Sequence, residues 1–346
     1  MRHTPGMALP TRPLGTTGMD ITVVGLGSWA IGGGGWSFGW GSQDDGESIA
    51  AIRHAIASGV NWIDTAAAYG VGHAEEVVAR ALRGVPDSDR PYVFTKCGVL
   101  VDRADPFRRP RRAASPESIR REVEDSLRRL QVEAIDLYQV HWPPDDGTTL
   151  DEYWSTMLAL KGEGKIRAAG LSNHSVAQLQ AASAIGHPDS LQPPFSAIRR
   201  EAAAEIAWCA GHRTGVIVYA PMQSGLLTGA FSAARVTSLR DDWRARDPEF
   251  QGERLERNLV VARALGSVAA RRGTTTAAVA VAWTLAWPGV TGAIVGARRP
   301  DQVDGWLPAA GLELGDDELD EIAGAIEAAG AGGGPVRPPK RVDRAS

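Results

Sequence analysis

The 346-residue chain is 43% hydrophobic and 23% charged, which is enough apolar material to bury a sizeable core in one large domain or two of ordinary size. Its formal net charge of -4 gives no support to nucleic acid as the main partner. Because Cys97 and Cys209 make no disulfide framework, and the chain has neither a signal-peptide stretch nor an apolar run near the roughly 18 residues of a membrane span, we expect a cytoplasmic protein with no membrane partner.

From about residue 20 to the 320s, short β-rich runs alternate with helix-like segments. The runs read ITVVGLG, NWIDTA, PYVFTKCG, AIDLYQVHW, IRAAGLSN, SLQPPFSAI, GVIVYAPM and GAIVGAR. The helix-like segments between them cover residues 44–59, 74–84, 115–131, 150–164, 175–185, 201–213, 258–272 and 300–310. Asp44 and Ser115 are suited to cap two of these helices, and Pro116 suits the first helical position after Ser115.

Other segments lie outside this alternation. PLGTTGMDIT, around Thr17–Gly18, predicts an N-terminal β-hairpin, and DDELDEIAGAIEAAG predicts an extra C-terminal helix. Residues 329–346 are rich in glycine and proline and predict a disordered tail. Residues 223–256 form a long polar connection, which we expect to reach over the active face. The basic, proline-rich segment 103–116 is either a solvated connection or a gate for substrate.

Eight successive βα units predict the architecture. With right-handed crossovers, eight such units close into a (β/α)8 TIM barrel, an α/β fold. We therefore predict a barrel over residues 12–328 within a single domain of residues 1–346. An open, doubly wound sheet remains the alternative, because alternation by itself does not prove closure.

One segment resembles a dinucleotide fingerprint. GLGSWA, residues 25–30, matches G-x-G-x-x-A after an apolar strand. That motif requires a helix to begin within it, so that the pyrophosphate lies at the helix N-terminus. The continuation IGGGGWSFGWG is too rich in glycine for a helix, so we reject a Rossmann interpretation. Its aromatic residues instead predict a mobile loop above a pocket, and they are Trp29, Trp36, Phe38 and Trp40.

Polar residues stand at or near the ends of seven consecutive predicted strands. In chain order they are Asp64, Lys96, His141, Ser172 with Asn173, Gln192, Tyr219 and Arg298. The C-terminal strand ends of a (β/α)8 barrel converge on one face, and active sites lie there. Each residue alone has an ordinary structural explanation, but seven at the same end predict an active site.

Four side chains near those ends could form a proton-donating site without a metal. The phenol of Tyr69 has a reference pKa of about 10, which the ammonium of Lys96 would lower while the carboxylate of Asp64 keeps that ammonium charged. A neutral His141 could donate a hydrogen bond to a carbonyl oxygen. Arginine is the usual cation of this chain, and its lysines are Lys96, Lys161, Lys165 and Lys340. A lysine after an apolar strand therefore indicates a chemical role for its ammonium. The chain has no H-E-x-x-H or C-x-x-C motif that would predict a metal site.

Over residues 12–325 the chain resembles the aldo-keto reductase family. The segments that carry the resemblance are PLGTTG, GLGSW, NWIDTAAAYG, AEEVVARAL, FTKCG, DLYQVHWP, GKIRAAGLSNHS, YAPMQSGLLTG and GAIVGARRPDQV. The resemblance implies a barrel that binds a nicotinamide cofactor without a Rossmann domain, and hydride transfer from that cofactor to a carbonyl carbon. It also implies that Tyr69 donates the proton, that Asp64 and Lys96 tune it, and that His141 orients the carbonyl.

The same resemblance implies a cofactor site. Ser172, Asn173 and Gln192 would hold the carboxamide, and Tyr219 would stack on the nicotinamide. The stretch 221–227 would wrap the pyrophosphate and 296–302 would surround the adenosine phosphate. The residues assigned to the cofactor in this way are Gly27, Ser28, Trp29, Asp64, Ser172, Asn173, Gln192, Tyr219, Ala220, Pro221, Met222, Gly225, Leu227, Gly296, Arg298 and Gln302.

The adenosine segment departs from the family's pattern. Gly296–Ala297 and Gln302 stand where many members carry Lys-Ser and a later Arg, and Trp306 stands in place of a later Asn. Arg298 and Arg299 could replace the lost charge, since arginine binds phosphate in a bidentate way. We therefore predict NADPH as the cofactor, with NADH as the less favoured choice.

The predicted function is NADP(H)-dependent reduction of an aldehyde or ketone to an alcohol, with a tyrosine as general acid. Two alternatives stay open: a non-enzymatic regulatory subunit that senses the cofactor, and a dehydrogenase that works in the direction of alcohol or sugar oxidation. The predicted partner is a small-molecule carbonyl substrate. Its pocket would be lined by the 223–256 loop and by aromatic residues suited to aromatic or sugar-like molecules, namely Trp29, Trp36, Trp40 and Trp142.

Overall fold

A computed structural model of the chain describes residues 8–239 and 242–339. Predictions that fall on residues 1–7, 240–241 and 340–346 lie outside the described residues. The strands are β1 (Thr11–Pro13), β2 (Asp20–Thr22), β3 (Val24–Gly27), β4 (Trp62–Asp64), β5 (Tyr92–Cys97), β6 (Val99–Leu100), β7 (Arg111–Arg112), β8 (Ile135–Val140), β9 (Ile166–Ser172), β10 (Ser190–Gln192), β11 (Gly215–Val218) and β12 (Gly292–Gly296). The α-helices are α1 (Asp45–Ala57), α2 (His73–Leu82), α3 (Pro116–Leu130), α4 (Leu150–Gly162), α5 (Val176–Ile185), α6 (Ala203–His212), α7 (Ala233–Thr237), α8 (Gly252–Arg272), α9 (Thr276–Leu285), α10 (Pro300–Trp306) and α11 (Asp316–Ala329).

A ring of parallel strands forms the centre of the molecule. Within the described ranges, eight strands pair in the closed order β3, β4, β5, β8, β9, β10, β11 and β12. The last strand pairs with the first, from Ala293 opposite Val24 to Gly296 opposite Gly27. Helices pack around this ring, and from α1 to α6 each contacts the next helix along the chain. The predicted (β/α)8 barrel is confirmed, and the open doubly wound sheet is excluded because the ring closes.

A hairpin covers the N-terminal end of the barrel. β1 and β2 pair antiparallel, with Thr11 opposite Thr22. The turn between them packs closely on the starts of β10 and β11, because a Cβ added at Gly15 would lie 2.7 Å from the backbone nitrogen of Gly215. The N-terminal hairpin is therefore confirmed. The predicted first strand, ITVVGLG, is wrong in extent, since Asp20–Thr22 pairs in the hairpin and only Val24–Gly27 enters the barrel.

The barrel interior is a packed apolar core below the site. It is filled by Leu14, Met19, Ile21, Trp62, Phe94, Leu137, Ala168, Ile217 and Ile294. Trp62 donates from its indole nitrogen to the carbonyl of Thr22 at 2.7 Å, so its one polar atom is satisfied. Leu14 comes from the hairpin, which shows that the hairpin closes this core from below. Apolar side chains thus fill the lower barrel, and Asp64, Lys96 and Gln192 lie at the other end.

Two long helices, α8 and α9, lie directly before β12, where the sequence predicts one. The predicted helix 258–272 is part of the longer α8, which begins at Gly252. The buried α9 follows α8, and the sequence did not predict this second helix. Its sequence, TAAVAVAWTL, is apolar all round, so it lacks the alternation of apolar and polar faces by which an amphipathic helix is recognised. A prediction from hydrophobic periodicity therefore misses helices that are buried on every side.

The start of the predicted tail is held against the barrel. The buried guanidinium of Arg200 donates to the carbonyl oxygens of Ala331 and Gly334, and the backbone nitrogen of Gly333 donates to Glu201. The prediction of disorder from residue 329 is therefore corrected for this stretch. Composition misled the prediction because the partner that orders these residues is an arginine about 130 positions earlier.

Candidate active site

Asp64 and Lys96 meet at the C-terminal ends of neighbouring strands. Asp64 is the last residue of β4, and Lys96 is the penultimate residue of β5. The Lys96 Nζ atom lies 2.5 Å from Asp64 Oδ1 and 2.8 Å from the carbonyl oxygen of Thr65. Both charged side chains are almost wholly buried, so water does not compete for the pair.

The phenol of Tyr69 lies beside this ion pair. Its oxygen is 3.4 Å from Lys96 Nζ. Tyr69 opens the tight turn Tyr69–Gly72, in which Gly70 has φ 58°. A Cβ at Gly70 would lie 2.3 Å from the carbonyl oxygen of Gly32, so this turn packs backbone to backbone against the loop after β3. The contact fixes the position of the tyrosine relative to the mouth of the barrel.

Burial sets the protonation states of the three groups. It raises the pKa of the Tyr69 phenol well above its ordinary value, and the charge of Asp64 adds to that rise. Burial also raises the pKa of Asp64 and lowers that of Lys96, although each partner opposes the shift of the other. The lowering of the Tyr69 pKa expected from the sequence is wrong in this structure, because burial and the charge of Asp64 both raise it. Tyr69 is consequently protonated at neutral pH, the state that a proton donor requires.

His141 lies on the other side of the phenol. It follows β8, and its ring centroid is 5.8 Å from that of Tyr69 in an edge-to-face contact. Burial, with the charges of Lys96 and Arg112, lowers the pKa of His141 well below its ordinary value, so the imidazole is neutral. Its side chain makes no hydrogen bond within the described part of the chain. The ring is therefore free to donate to a bound oxygen atom.

Gln139, which the sequence did not predict, supports the Asp64–Lys96 pair through Gln192. Gln192 donates from Nε2 to Asp64 Oδ2 at 2.9 Å and to Gln139 Oε1 at 3.3 Å. Gln139 lies in β8 directly opposite Lys96 in β5 and is fully buried. A glutamine within the strand IDLYQV, two residues before the strand-end His141, is the signal that could have identified it. The Asp64 carboxylate is thus bound by the Lys96 ammonium at Oδ1 and by the Gln192 amide at Oδ2.

A second buried network holds the strand that carries Lys96. The carboxylate of Glu75 in α2 accepts from Thr95 Oγ1 at 2.6 Å and from Arg129 Nε at 2.5 Å. Glu75 is completely buried, and Thr95 immediately precedes Lys96. The paired acidic residues of the segment AEEVVARAL were the available signal, since Glu75 shares the buried face of α2 with Ala74, Val77 and Val78.

Four of the residues assigned to the cofactor form one hydrogen-bonded chain. Ser172 donates to the carbonyl of Gln192 at 2.8 Å, and Asn173 Nδ2 donates to Ser172 Oγ at 3.0 Å and to the carbonyl of His141 at 2.9 Å. The hydroxyl of Tyr219 donates to Asn173 Oδ1 at 2.8 Å. Burial raises the pKa of Tyr219 to about 12, so its ring stays neutral. These side chains surround the same strand ends as Lys96 and His141.

The turn after β11 has the backbone of an anion cradle. Ala220, Gln223, Ser224 and Gly225 all have positive φ. The hydrogen bonds of the turn use the backbone nitrogens of Gln223 and Gly225 but not those of Met222 or Ser224. Backbone N–H groups left in such a turn bind phosphate oxygens. The turn covers the predicted stretch Pro221, Met222, Gly225 and Leu227, and it fits a pyrophosphate.

Ser28 adds a second observation that fits a bound cofactor. Its hydroxyl is buried at the end of β3 and has no hydrogen-bond partner. Neighbouring Gly27 pairs with Asp64 across β3 and β4. A buried polar atom without a partner is costly unless a ligand satisfies it.

The predicted adenosine segment is tied to the loop after β3. Arg298 hydrogen-bonds to Gln43 and to the carbonyl oxygens of Trp40 and Ser42, and its backbone nitrogen donates to Gln302 Oε1 at 2.7 Å. Arg299 instead lies exposed and pairs with Asp301, with both contacts at 3.1 Å. Gly296 is exposed at the end of β12. Trp306, in the place of the expected Asn, is buried core.

Three tryptophans form a cover over Tyr69. The ring of Trp29 stacks 6.3 Å from that of Tyr69, with Trp243 stacked on Trp29 at 5.1 Å. Trp40 meets Trp29 and Trp243 edge to face, at 5.1 and 5.7 Å. Trp243 comes from the 223–256 connection, and a bridge between Trp40 and Asp242 joins the two loops. Trp243 was missed because its segment has no strand-end position.

The other two tryptophans predicted for the substrate, Trp36 and Trp142, are not part of this ring cluster, although Trp142 directly follows His141. Trp36 is buried and contacts Phe38 at 6.0 Å. The guanidinium of Arg112 lies over the ring of Trp142, with its Cζ atom 4.2 Å from the ring centroid. His174 and Cys97, read from the sequence as packing residues, are both buried.

The described residues contain neither a metal-binding cluster nor a membrane-spanning helix. Across 8–239 and 242–339, no group of three or more His, Cys, Asp or Glu side chains is arranged to hold a metal ion. Over the same ranges, no helix is both long and apolar enough to span a membrane.

Comparison with known proteins places this site in a class. The model of the Aldo/keto reductase family matches residues 25–327. Aldo-keto reductase YhdN of Bacillus subtilis (strain 168) is 35% identical over 316 residues, which cover 91% of this chain and 92% of that protein. The NADH-specific methylglyoxal reductase of Escherichia coli (strain K12) is 34% identical over 327 residues, 91% and 98% of the two chains.

Solved structures agree with the sequence matches. The glycerol dehydrogenase AKR11B4 from Gluconobacter oxydans superposes with a TM-score of 0.83 at 37% identity, covering 93% of this chain and 97% of that one. The aldo-keto reductase AKR11C1 from Bacillus halodurans shares the fold at 22% identity, with a TM-score of 0.73.

The barrel and its relatives define an oxidoreductase that uses a nicotinamide cofactor. The chain belongs to the aldo-keto reductase family.

Proposed function

We propose that this enzyme reduces a small aldehyde or ketone to the alcohol, with NADPH as hydride donor and Tyr69 as general acid. The observation that carries the proposal is the position of Lys96 Nζ, 2.5 Å from the Asp64 carboxylate and 3.4 Å from the Tyr69 oxygen. A cation held between a carboxylate and a phenol stabilises the phenolate that forms as the phenol gives up its proton.

The bound cofactor would supply a hydride to the carbonyl carbon, and the protein would handle the proton. Tyr69, protonated by burial, donates its proton to the carbonyl oxygen, so the two atoms added are one hydride and one proton. Lys96 stabilises the phenolate left behind. His141, neutral and without a side-chain partner, orients the carbonyl oxygen with a hydrogen bond. A proton from solvent then restores the phenol.

The tryptophan cover favours a small substrate. Trp29 stacks on Tyr69 and also contacts Trp40 and Trp243, so a bulky substrate at Tyr69 would have to displace Trp29 from these contacts. Two similar proteins are named for glycerol and methylglyoxal, which are three-carbon molecules. We therefore narrow the predicted aromatic or sugar-like class to short polyols and their carbonyl forms. Oxidation of such an alcohol is the same chemistry in reverse.

The expected location of the enzyme is the cytoplasm. Its two cysteines are buried and form no disulfide, which fits a reducing compartment.

The test is a cofactor-oxidation screen with purified protein. We expect loss of NADPH absorbance with short aldehydes and hydroxyketones, and weaker activity with large ketones such as ketosteroids. Alcohol product must appear in equal amount to the NADPH consumed. If no carbonyl consumes cofactor that the protein demonstrably binds, the cofactor-sensing subunit is the correct alternative.

The preference for NADPH is assigned to Arg299. Arg298 is engaged with the loop at Trp40, whereas Arg299 is exposed and pairs only with nearby Asp301. We expect Arg299→Ala to raise the Kd of NADPH roughly tenfold or more, because hydrogen bonds to charged groups contribute about 1.5–3 kcal/mol. The Kd of NADH should change by less than about twofold. Fluorescence titration with both cofactors measures this difference.

A matched control separates recognition from general loss of charge. Arg271 pairs with Glu321 between α8 and α11, so Arg271→Ala also removes an exposed arginine from an ion pair. Both dissociation constants should stay unchanged in that variant. Tighter binding of NADH than of NADPH by the unsubstituted protein would overturn the assignment, and it would resemble the preference named for the E. coli relative.

A further inference from the structure

The loop after β5 carries an unusual concentration of positive charge. Between Asp102 and Arg112 the sequence DRADPFRRPRR contains five arginines and two aspartates, a formal charge of +3, in a chain whose net charge is -4. The loop is anchored at its base, where β6 and β7 pair antiparallel with Val99 opposite Arg112. The sequence predicts either a solvated connection or a gate for substrate here. Apart from the charge of Arg112 near His141, neither the proposed proton transfer nor the cofactor contacts use this segment.

The arginines surround a cavity of about 300 Å³. Its lining residues are Leu100, Val101, Asp102, Arg103, Arg108, Arg109 and Arg111. One acidic side chain lines the cavity, Asp102, which accepts a hydrogen bond from the backbone nitrogen of Ala104 at 2.9 Å and lies 3.8 Å from the Arg108 guanidinium. Within the described residues, Arg103, Arg109 and Arg111 have no acidic or hydrogen-bonding side-chain partner. Cations gathered around one space repel one another unless an anion enters it.

The cavity lies on the substrate side of the barrel. β5 is the third barrel strand and β11 the seventh, so the two stand across the ring from each other. The turn that fits a pyrophosphate follows β11, which places it at the far side of the mouth. The base of the arginine loop reaches the site itself, because Arg112 covers Trp142, the residue after His141. An anion in the cavity is therefore distinct from the phosphates of the cofactor.

We propose that this cavity binds the anionic end, a phosphate ester or a carboxylate, of the carbonyl substrate. The inference rests on the proposed function and defines its substrate class more closely. Guanidinium groups bind both anions through paired hydrogen bonds, with stronger contacts than a neutral group makes. A volume of about 300 Å³ is at the small end for ligand sites, so it suits a short substrate rather than a nucleotide.

The experiment compares matched pairs of substrates that differ in the anionic group. Glyceraldehyde 3-phosphate is measured against glyceraldehyde, and succinic semialdehyde against butanal, each with saturating NADPH. We expect kcat/KM to be at least tenfold higher for the anionic member of one pair, and that pair identifies the anion. Raising the salt concentration should reduce this ratio, because exposed charges are screened.

Variants assign the preference to the cavity. Arg103→Ala/Arg109→Ala and Arg109→Glu should each lower the ratio of anionic to neutral kcat/KM at least tenfold. These arginines lie in an exposed loop, so neither change removes core packing. Arg83→Ala is the control, since Arg83 is an exposed arginine after α2, near the opposite end of the barrel, and the ratio should not change.

Three results would count against the inference in different ways. Equal turnover of both members of each pair would overturn it while the proposed function stands. A preference that survives Arg103→Ala/Arg109→Ala would also overturn it, because the anion would then be recognised elsewhere. No turnover of any member would overturn the proposed function itself.

Discussion

We expect the replacement of Tyr69 with phenylalanine to lower kcat for carbonyl reduction by about a thousandfold and to leave the Kd of NADPH within about twofold. General acid catalysis by a positioned side chain contributes typically 10²–10⁴-fold, and this variant removes only the oxygen that carries the proton. The ring and its stacking contact with Trp29 remain, so the tryptophan cover has no reason to shift. Stopped-flow measurement of NADPH oxidation, with cofactor titration alongside, gives both quantities.

Tyr92→Phe is the matched control for this variant. Tyr92 begins β5, at the opposite end of the same strand that carries Lys96, and it loses the same hydroxyl group. Its kcat should match that of the unsubstituted protein. If Tyr69→Phe kept more than about a tenth of the original kcat, another group would have to be the proton donor.

We expect the replacement of Lys96 with methionine to lower the free energy of unfolding by about 3–5 kcal/mol and to abolish turnover. Removing one partner of a buried ion pair leaves the other charge in a nonpolar interior without compensation, which typically costs that amount. Asp64 would lose its charged partner and keep the hydrogen bond from Gln192. Urea unfolding at neutral pH measures the loss.

The chain offers a matched lysine for comparison. Lys165 is partly exposed and pairs with Glu124, so Lys165→Met should cost less than about 1 kcal/mol. The double variant Asp64→Asn/Lys96→Met should recover part of the lost stability, because it removes the unpaired buried carboxylate. It should not recover turnover, because the ammonium that stabilises the phenolate is still missing. A Lys96→Met protein as stable as the original would mean that the pair is not charged in the folded state.

The sequence predicted the barrel and the residues at its strand ends because both follow from local patterns. The alternation of apolar runs and helical segments is visible along the chain, and parallel strands in a closed barrel must end on one face. Asp64 and Lys96 therefore meet where expected, although 32 positions separate them. The limits of the elements were less predictable, as with β2, since pairing in the hairpin rather than composition decides where that strand ends.

The remaining features depend on contacts between distant segments. Gln139 supports the pair only because β8 lies beside β5, and Trp243 reaches Tyr69 through Trp29 from a loop that crosses the mouth. The direction of the Tyr69 pKa shift needs the burial of the phenol, which no sequence pattern reports. Arg298 was assigned to phosphate from its position, yet its guanidinium contacts the loop after β3.

The fate of a labelled hydride is the most direct test of this account. Purified protein is given NADPH that carries deuterium at the transferable C4 position of the nicotinamide, together with a short aldehyde. The alcohol product is then analysed by mass spectrometry and NMR. We expect one deuterium on the carbinol carbon of every product molecule, with the hydroxyl proton drawn from solvent through Tyr69. Product that carries no deuterium, or cofactor that stays unoxidised while bound, would contradict the account.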